Sequence, residues 1–282
     1  MMAFLSEYFL SRGIRLFSPV PLSACTVRKS YLLEREGLGT EAGTVIMLAL
    51  PYLSREAERK DRNLSAYAVP RDYHLFWHNL FDDLLPRLRQ TFPSDRFAAF
   101  ADHSPIDERE TAAMAGLGII GKNGLLITES CSSYVFLGEL ITSRILPCEA
   151  GPIRYCEDCG RCRVACPMPR IGSCLSALTQ KKGTLTEEEI AVLREYGSVW
   201  GCDICQEVCP HTVRARRAGT IFTDIPFFRE QTISHLSTEI LDGMREETFQ
   251  SRAFAWRGRE TIRRNLTLTE QNGKEKEDKP EC

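Results

Sequence analysis

The chain has 282 residues, of which 12 are cysteines, with 43% hydrophobic and 26% charged residues and a formal net charge of -2. This composition is typical of a globular protein with a buried core, and it excludes a general attraction to polyanions. No stretch approaches the roughly 20 apolar residues of a membrane span, and the start MMAFLSEYFLSRGIRLFSPV lacks the features of a secretory signal. We therefore predict a cytoplasmic protein with no membrane partner.

The first half of the chain alternates short apolar runs with amphipathic segments. GTVIMLALPYL predicts a buried strand, and residues 72–92 have helical spacing, although Pro86 should kink or end that helix early. RFAAFAD predicts another strand with Asp102 at its C-terminal end, and DERETAAMAGLG predicts a helix that Gly116 or Gly118 terminates. GLLITE and SYVFLGELIT predict two further strands.

This order of elements predicts a layered domain of α+β or α/β class over residues 1–145. In sheets of α/β type, ligands bind beyond the carboxyl ends of the strands. A cysteine-rich module is expected at 146–215, with a helix that Thr186 caps and Glu189 completes as a capping box. Residues 216–268 have helical pattern, and the polar tail 269–282 is predicted to be disordered.

The cysteines form a module, because nine of the twelve lie between Cys148 and Cys209. In a chain without an export signal, this clustering favours metal ligation over disulfides. YCEDCGRCRVACP has the spacing C-x2-C-x2-C-x3-C-P, and WGCDICQEVCP has C-x2-C-x3-C. In two-cluster ferredoxins, the first three thiolates of such a run bind one [4Fe–4S] cluster and the fourth binds the other.

This rule predicts two [4Fe–4S] clusters with interleaved ligands. One set is Cys156, Cys159, Cys162 and Cys209. The other is Cys166, Cys202 and Cys205, with Cys174 as the best candidate for the fourth ligand. Zinc in tetrahedral thiolate sites is the alternative, but the tight spacing followed by proline favours cubane clusters. Cys25, Cys131, Cys148 and Cys282 are unassigned, and the domain before the module is predicted to hold the redox partner.

Both cysteine motifs, joined to DHSPIDERETAAMAGLGIIGKNGLLI and AYAVPRDYH, resemble the cobalamin-dependent epoxyqueuosine reductases over about residues 45–268. The resemblance implies reduction of epoxyqueuosine to queuosine at the wobble position of tRNA, with electrons passing through two [4Fe–4S] clusters to cobalamin. It also implies two partners, the epoxyqueuosine-containing anticodon loop of tRNA and an external electron donor such as ferredoxin or flavodoxin. The chain resembles a short member without the C-terminal helical-repeat domain of many relatives.

The resemblance also implies roles for particular residues. It places the proton-donating aspartate of the family at Asp102, and removal of an epoxide oxygen does require protons from a positioned acid. Gly121, Lys122 and Asn123 match a loop that contacts the corrinoid, and Tyr73 and His74 match a stretch near the active site. The alternatives are that Asp102 caps the helix that follows it and that the glycines form only a tight turn.

Two other functions remain open from the residues. A corrinoid iron–sulfur reductase could act on a small molecule, as dehalogenases do. An electron-transfer protein without its own catalytic corrinoid could use the first domain to dock a partner. The arginine-rich segment 252–264 predicts either phosphate contacts or a solvated helix face.

Overall fold

The computed structural model describes residues 1–277. The strands are β1 (Leu16–Pro21), β2 (Thr44–Pro51), β3 (Phe97–Phe100), β4 (Ile119–Ile120), β5 (Leu126–Ile127) and β6 (Val135–Thr142). The helices are α1 (Met2–Ser11), α2 (Ser30–Arg35), α3 (Tyr73–Thr91), α4 (Glu108–Met114), α5 (Arg161–Ala165), α6 (Met168–Ile171), α7 (Leu175–Thr179), α8 (Glu187–Tyr196), α9 (Ile204–Glu207), α10 (Pro210–Ala218), α11 (Thr238–Gly243), α12 (Glu246–Gln250) and α13 (Arg259–Glu277).

The chain forms two compact units, and each is assembled from separate stretches. The first comprises Met1–Tyr52, His74–Gly160 and Pro210–Ile225. The second contains the rest of the described chain. The contiguous division into 1–145, 146–215 and 216–268 differs from this grouping, because sequence pattern does not report which distant stretches pack together.

The first unit is built on a four-stranded sheet of order β1-β2-β6-β3. Every neighbouring pair is antiparallel, so the α+β form of the prediction describes the sheet and the parallel α/β form does not. Met47, Glu139 and Phe100 are opposite one another across three strands and therefore share a face of the sheet. That face is covered by α4, and the other face packs on α3 through Gly138 and Trp77.

The predicted strands and helices of this unit are largely confirmed, with two differences. β2 is buried along almost its whole length, as its apolar run predicted. α3 continues through Pro86 to Thr91, so the expected early end is wrong. Burial of Leu84 and Leu88 on either side of Pro86 stabilises the helix against the hydrogen bond that proline removes. α4 ends at Met114, and Gly116 follows in left-handed conformation at φ 79°.

The second unit consists of short helices around two apolar clusters. One cluster contains Trp200, Phe249, Phe254 and the inner face of α13. The other packs α7 against α8. The predicted capping box of α8 is present, because Thr186 accepts from the Glu189 N–H and the Glu189 carboxylate accepts from the Thr186 N–H.

The C-terminal tail, residues 269–282, was predicted to be disordered. Residues 269–277 belong to α13, and residues 278–282, with Cys282, lie outside the described residues, so the disorder of the tail stays a prediction. Within the described chain, none of the helices combines the length and the apolar character that crossing a bilayer would take.

Candidate functional site

Asp102 lies two residues beyond β3, where the chain turns between β3 and α4. Its φ is 63°, in the left-handed region that aspartate tolerates better than most residues. The Asp102 N–H donates to Glu108 Oε1 at 3.3 Å, and Asp102 Oδ2 is 3.1 Å from His74 Nε2. The side chains of His74 and Asp102 are 42% and 54% exposed. The structure therefore brings together two of the predicted site residues on an accessible surface.

The capping role belongs to another aspartate. The Asp107 carboxylate accepts from the Glu110 N–H at 3.2 Å at the start of α4. The alternative that Asp102 caps this helix is therefore wrong.

The loop after Asp102 is fixed by His103. Lys29 Nζ and Tyr31 Oη contact the two ring nitrogens of His103 at 3.2 and 3.3 Å. A cavity of about 180 Å³ lies alongside, lined by His74, His103 and apolar residues of α3 and β3. This cavity can hold a small group, but a corrinoid macrocycle is far larger, so the cavity does not by itself define a corrinoid site.

Two glutamates that the sequence analysis did not select lie behind Asp102. Burial and, to a smaller extent, the negative charge of Asp102 together raise the pKa of Glu108 to about 7. Glu139 is fully buried in β6, and burial together with the charge of Glu108 raises its pKa well above the ordinary value. The signal for Glu139 was available, since a glutamate interrupts the apolar strand VFLGELIT.

The loop predicted to contact the corrinoid, residues 121–123, is held by hydrogen bonds to two other segments of the first unit. Arg109 Nη1 donates to the Gly124 carbonyl at 2.9 Å, which ties the loop to α4. The Lys122 N–H donates to Cys156 Sγ at 3.2 Å, and Lys122 Nζ pairs with Asp158 at 3.1 Å. Leu125 N–H donates to Asn123 Oδ1 at 3.3 Å inside the turn. Tyr73 begins α3 and is grouped with the other compact unit.

Three cysteines predicted to share a cluster lie near one another in the second unit. Burial raises the pKa of Cys202 to about 12, with further contributions from Asp203, Cys205 and Cys174. A cavity of about 130 Å³ adjoins Cys202 and Leu175, the residue after Cys174. Cys174, Cys202 and Cys205 are therefore close to one another in the second unit, and the cluster that they are predicted to share stays a prediction.

The Cys202–Cys205 loop is held by a buried carboxylate. Asp203 accepts from Arg62 Nη1 at 2.6 Å, from Ser65 Oγ at 2.5 Å and from the Ala66 N–H at 2.7 Å. Gly201 precedes this loop at φ 75°, and a Cβ there would lie 2.4 Å from Ser65 Cβ. Gly201 and Asp203 thus let the Cys202–Cys205 loop pack closely against Ser65 and its neighbours in the second unit.

The eleven cysteines within residues 1–277 are all thiols, and none of them forms a disulfide. Among these described residues, no three His, Cys, Asp or Glu side chains are arranged to hold a metal ion. Cys156 and Cys159 belong to the first unit, and the other six predicted ligands belong to the second. Burial raises the pKa of Cys25 to about 11, and it also raises the pKa values of Cys131 and Cys148. Raised values are expected of packed thiols.

The arginine-rich segment is mostly engaged in structural contacts. Arg252 is buried and donates to the carbonyls of Val69 and Gln231. Arg259 and Arg263 pair with Glu246 and Asp242, respectively. Arg264 donates to the carbonyls of Lys181 and Gly183, and Arg257 stacks on Trp256. These contacts favour a structural use of the segment over phosphate binding.

Comparison with known sequences identifies related proteins. Residues 34–103 match the family model described as epoxyqueuosine reductase QueG, DUF1730. An epoxyqueuosine reductase of Gloeobacter violaceus is 35% identical over 186 residues, covering 62% of this chain and 58% of the relative. Another, from Pseudomonas aeruginosa, is 35% identical over 225 residues, covering 76% of this chain and 59% of the relative. The matched part thus spans less than two thirds of these relatives.

The fold matches solved structures over nearly the whole chain. The epoxyqueuosine reductase of Streptococcus thermophilus superposes with a TM-score of 0.75 at 24% identity, covering 96% of this chain and 81% of that one. An epoxyqueuosine reductase in complex with an epoxyqueuosine-modified tRNA-Tyr stem loop matches with a TM-score of 0.71 at 25% identity, covering 95% and 80%. In sequence and in fold, this chain is therefore similar to epoxyqueuosine reductases.

Proposed function

We propose that this chain reduces epoxyqueuosine to queuosine at the wobble position of tRNA. The observation that supports this most directly is Asp102, held between His74 and Glu108 at the end of β3 in a chain whose curated relatives are named epoxyqueuosine reductases. A similar protein of known structure is in complex with an epoxyqueuosine-modified tRNA stem loop. tRNA is therefore the proposed substrate, and the cytoplasm is the proposed location.

The reaction defines what the site must supply. Converting an epoxide to an alkene breaks two C–O bonds, consumes two electrons and two protons, and releases water. Breaking the first C–O bond gives an alkoxide that is still bound to carbon, and breaking the second releases hydroxide or water, so each stage needs a proton from a positioned acid. Asp102 is the proposed donor. His74, at 3.1 Å from Asp102 Oδ2, orients this carboxyl group.

Two [4Fe–4S] clusters and cobalamin are the proposed cofactors. One set of cluster ligands is Cys156, Cys159, Cys162 and Cys209, and the other is Cys166, Cys174, Cys202 and Cys205. The proposed corrinoid contacts are the exposed Asp102 and Lys122 and the half-buried His74 and Asn123, together with Gly121 and Tyr73. When bound, these groups supply low-potential electrons, one at a time, from an external donor such as ferredoxin or flavodoxin.

Nucleoside analysis of tRNA from cells that lack the gene tests the proposal. These cells should accumulate epoxyqueuosine, the natural protein should restore queuosine, and Asp102→Asn should not. Asp82→Asn is the matched control, since it makes the same change at an exposed position of α3 and should restore queuosine fully. Unchanged queuosine in the deletion strain would exclude this substrate and favour a small-molecule or electron-transfer function, and restoration by Asp102→Asn would exclude the proton-donor role.

A further inference from the structure

Glu139 is a buried acid without an obvious structural role. It lies in β6 between Met47 of β2 and Phe100 of β3, and its exposed fraction is 0%. Ser104 and Glu108 are near enough to influence its pKa. Even so, no group in the described chain makes a hydrogen bond of good geometry to either of its carboxyl oxygens. A charged carboxylate would be very unfavourable there, so Glu139 holds a proton at neutral pH.

Glu108 connects this buried acid to the surface. It is on the first turn of α4, the helix that covers the sheet face on which Glu139 lies. Its Oε1 accepts from the Asp102 N–H at 3.3 Å, and the left-handed backbone of Asp102 directs that N–H toward it. Glu139, Glu108 and Asp102 thus form a series from the core of the sheet to an exposed edge.

The charges around the pair are almost all negative or neutral. Asp102 and Asp107 face Glu108, and Glu108, Asp102 and the Cys25 thiol face Glu139. Arg28 pairs with Asp107 at 3.3 Å and His74 with Asp102 at 3.1 Å, so these two basic groups lie beside the aspartates and not beside the two glutamates. Two adjacent buried carboxyl groups cannot both ionise easily, so they titrate as a coupled pair. Since the pKa of Glu108 is about 7, the second proton of the pair is exchangeable at neutral pH.

The proposed reaction needs two protons, whereas the Asp102 carboxyl group holds one. We infer that Glu139 and Glu108 store a proton and return it to Asp102 after its first transfer, an inference that rests on the proposed function. The Glu108 O–H bond breaks and an Asp102 O–H bond forms, directly or through one water, while Glu139 keeps its own proton and stays uncharged in the core. Protons from solvent then restore the protonated carboxyl groups through the exposed side chains of Asp102 and His74. The electrons come from the low-potential donor protein and do not involve the glutamates.

Infrared spectroscopy of the purified holoprotein tests proton storage without turnover. The C=O stretch of a protonated carboxyl group should persist at pH 8 in the wild type and disappear in Glu139→Gln. Glu108→Gln should remove the component that titrates near pH 7. Glu41→Gln, at an exposed position, should leave both signals unchanged. A wild-type spectrum without a protonated carboxyl group at pH 8, or one unaltered by Glu139→Gln, would overturn the inference.

Single-turnover reduction of epoxyqueuosine in a tRNA stem loop tests delivery. Glutamine has the shape and neutrality of protonated glutamate, so Glu108→Gln should keep its fold and its acceptor for the Asp102 N–H. It should react like the wild type at pH 6, where solvent protons are abundant, and roughly tenfold more slowly at pH 7, where wild-type Glu108 still binds a proton. Glu108→Asp should recover part of the rate. A wild-type pH profile in Glu108→Gln would contradict proton delivery.

The two proposals fail in different ways. If the wild type forms no queuosine, the proposed function fails, while the infrared measurement still decides whether the pair stores a proton. If the wild type is active and Asp102→Asn is not, an unchanged profile in Glu108→Gln removes only the proton store. Should Glu139→Gln not fold, Glu108→Gln alone decides the outcome, because this side chain is only partly buried.

Discussion

The backbone N–H of Lys122 donates to the sulfur of Cys156 at 3.2 Å. Two backbone hydrogen bonds also join residues 154–156 to Ile120. The Cys156 N–H donates to the Ile120 carbonyl at 3.0 Å, and the Ile120 N–H donates to the Arg154 carbonyl at 2.8 Å. A loop predicted to contact the corrinoid is therefore bonded to a residue predicted to bind a cluster. Hydrogen bonds to cysteine sulfur are among the determinants of cluster reduction potential. Backbone geometry in the first unit thus fixes the position of Lys122 relative to Cys156.

Replacement of predicted cluster ligands should remove iron in a defined amount. Cys156→Ser should lose one of the two clusters, about half of the iron and acid-labile sulfide, since each cubane needs four thiolates. Cys174→Ser should do the same at the other cluster. The measurement is iron and sulfide content after anaerobic reconstitution, together with the visible spectrum.

Cys148→Ser is the control for both variants, because Cys148 lies in the same part of the chain but is assigned to neither cluster. It should keep the full iron content. A full complement of iron in Cys174→Ser would remove Cys174 from the ligand set. A colourless wild type that contains only zinc would contradict both cluster assignments.

Local sequence pattern predicted much of the secondary structure and the capping box at Thr186, because these depend on residues close in the chain. It could not predict that β6 lies between β2 and β3, since strand order depends on long-range pairing. Glu139 in β6 also shows that long-range packing cannot be predicted from local pattern. The sequence shows a glutamate in an apolar strand, but its proximity to Glu108 follows only from packing of α4 on the sheet.

Removal of the buried carboxylate at Asp203 should destabilise the second unit. Its side chain is 2% exposed and accepts from Arg62, Ser65 and the Ala66 N–H. Asp203→Asn should lower the free energy of unfolding by about 3 kcal/mol, because the guanidinium of Arg62 loses its buried partner. Urea unfolding of the reconstituted protein measures this change.

Glu207→Gln is the matched control for Asp203→Asn. Glu207 pairs with the same guanidinium at 2.8 Å, but its side chain is 41% exposed. Its loss should cost less than about 1 kcal/mol. Equal effects of the two variants would show that burial of Asp203 does not determine the stability of this network.

The pKa of Glu108 makes stability depend on pH. Burial raises this pKa from 4.5 to about 7, so between these values the folded protein binds a proton that the unfolded chain has released. Wild-type stability therefore falls as pH rises through this range, and Glu108→Gln removes that dependence. Between pH 5 and pH 8, the stability of Glu108→Gln relative to the wild type should rise by about 1 to 3 kcal/mol. Thermal unfolding at several pH values measures it, and a constant difference would contradict the raised pKa.

Gly138 allows α3 to pack directly on the sheet. A Cβ at this position would lie 2.9 Å from two ring atoms of Trp77. Trp77 is 1% exposed and stacks on Phe81 with ring centroids 5.2 Å apart, so it has little room to move. Gly138→Ala should therefore lower the free energy of unfolding by about 1 to 3 kcal/mol through overpacking. Urea unfolding followed by tryptophan fluorescence measures the change.

The control for this last variant is Gly39→Ala, because a Cβ on Gly39 meets no atom within 4 Å. It should change stability little. If Gly138→Ala were as stable as the control, Trp77 would have to shift without cost, and α3 would not be held against β6 as tightly as the contact indicates. Since His74 and Trp77 are both on α3, a shift of this helix would also change the His74–Asp102 distance. In that case Gly138→Ala would slow the proposed reaction although Asp102 is unchanged. If α3 is rigid, Gly138→Ala should instead lower the stability and leave the rate of the proposed reaction unchanged.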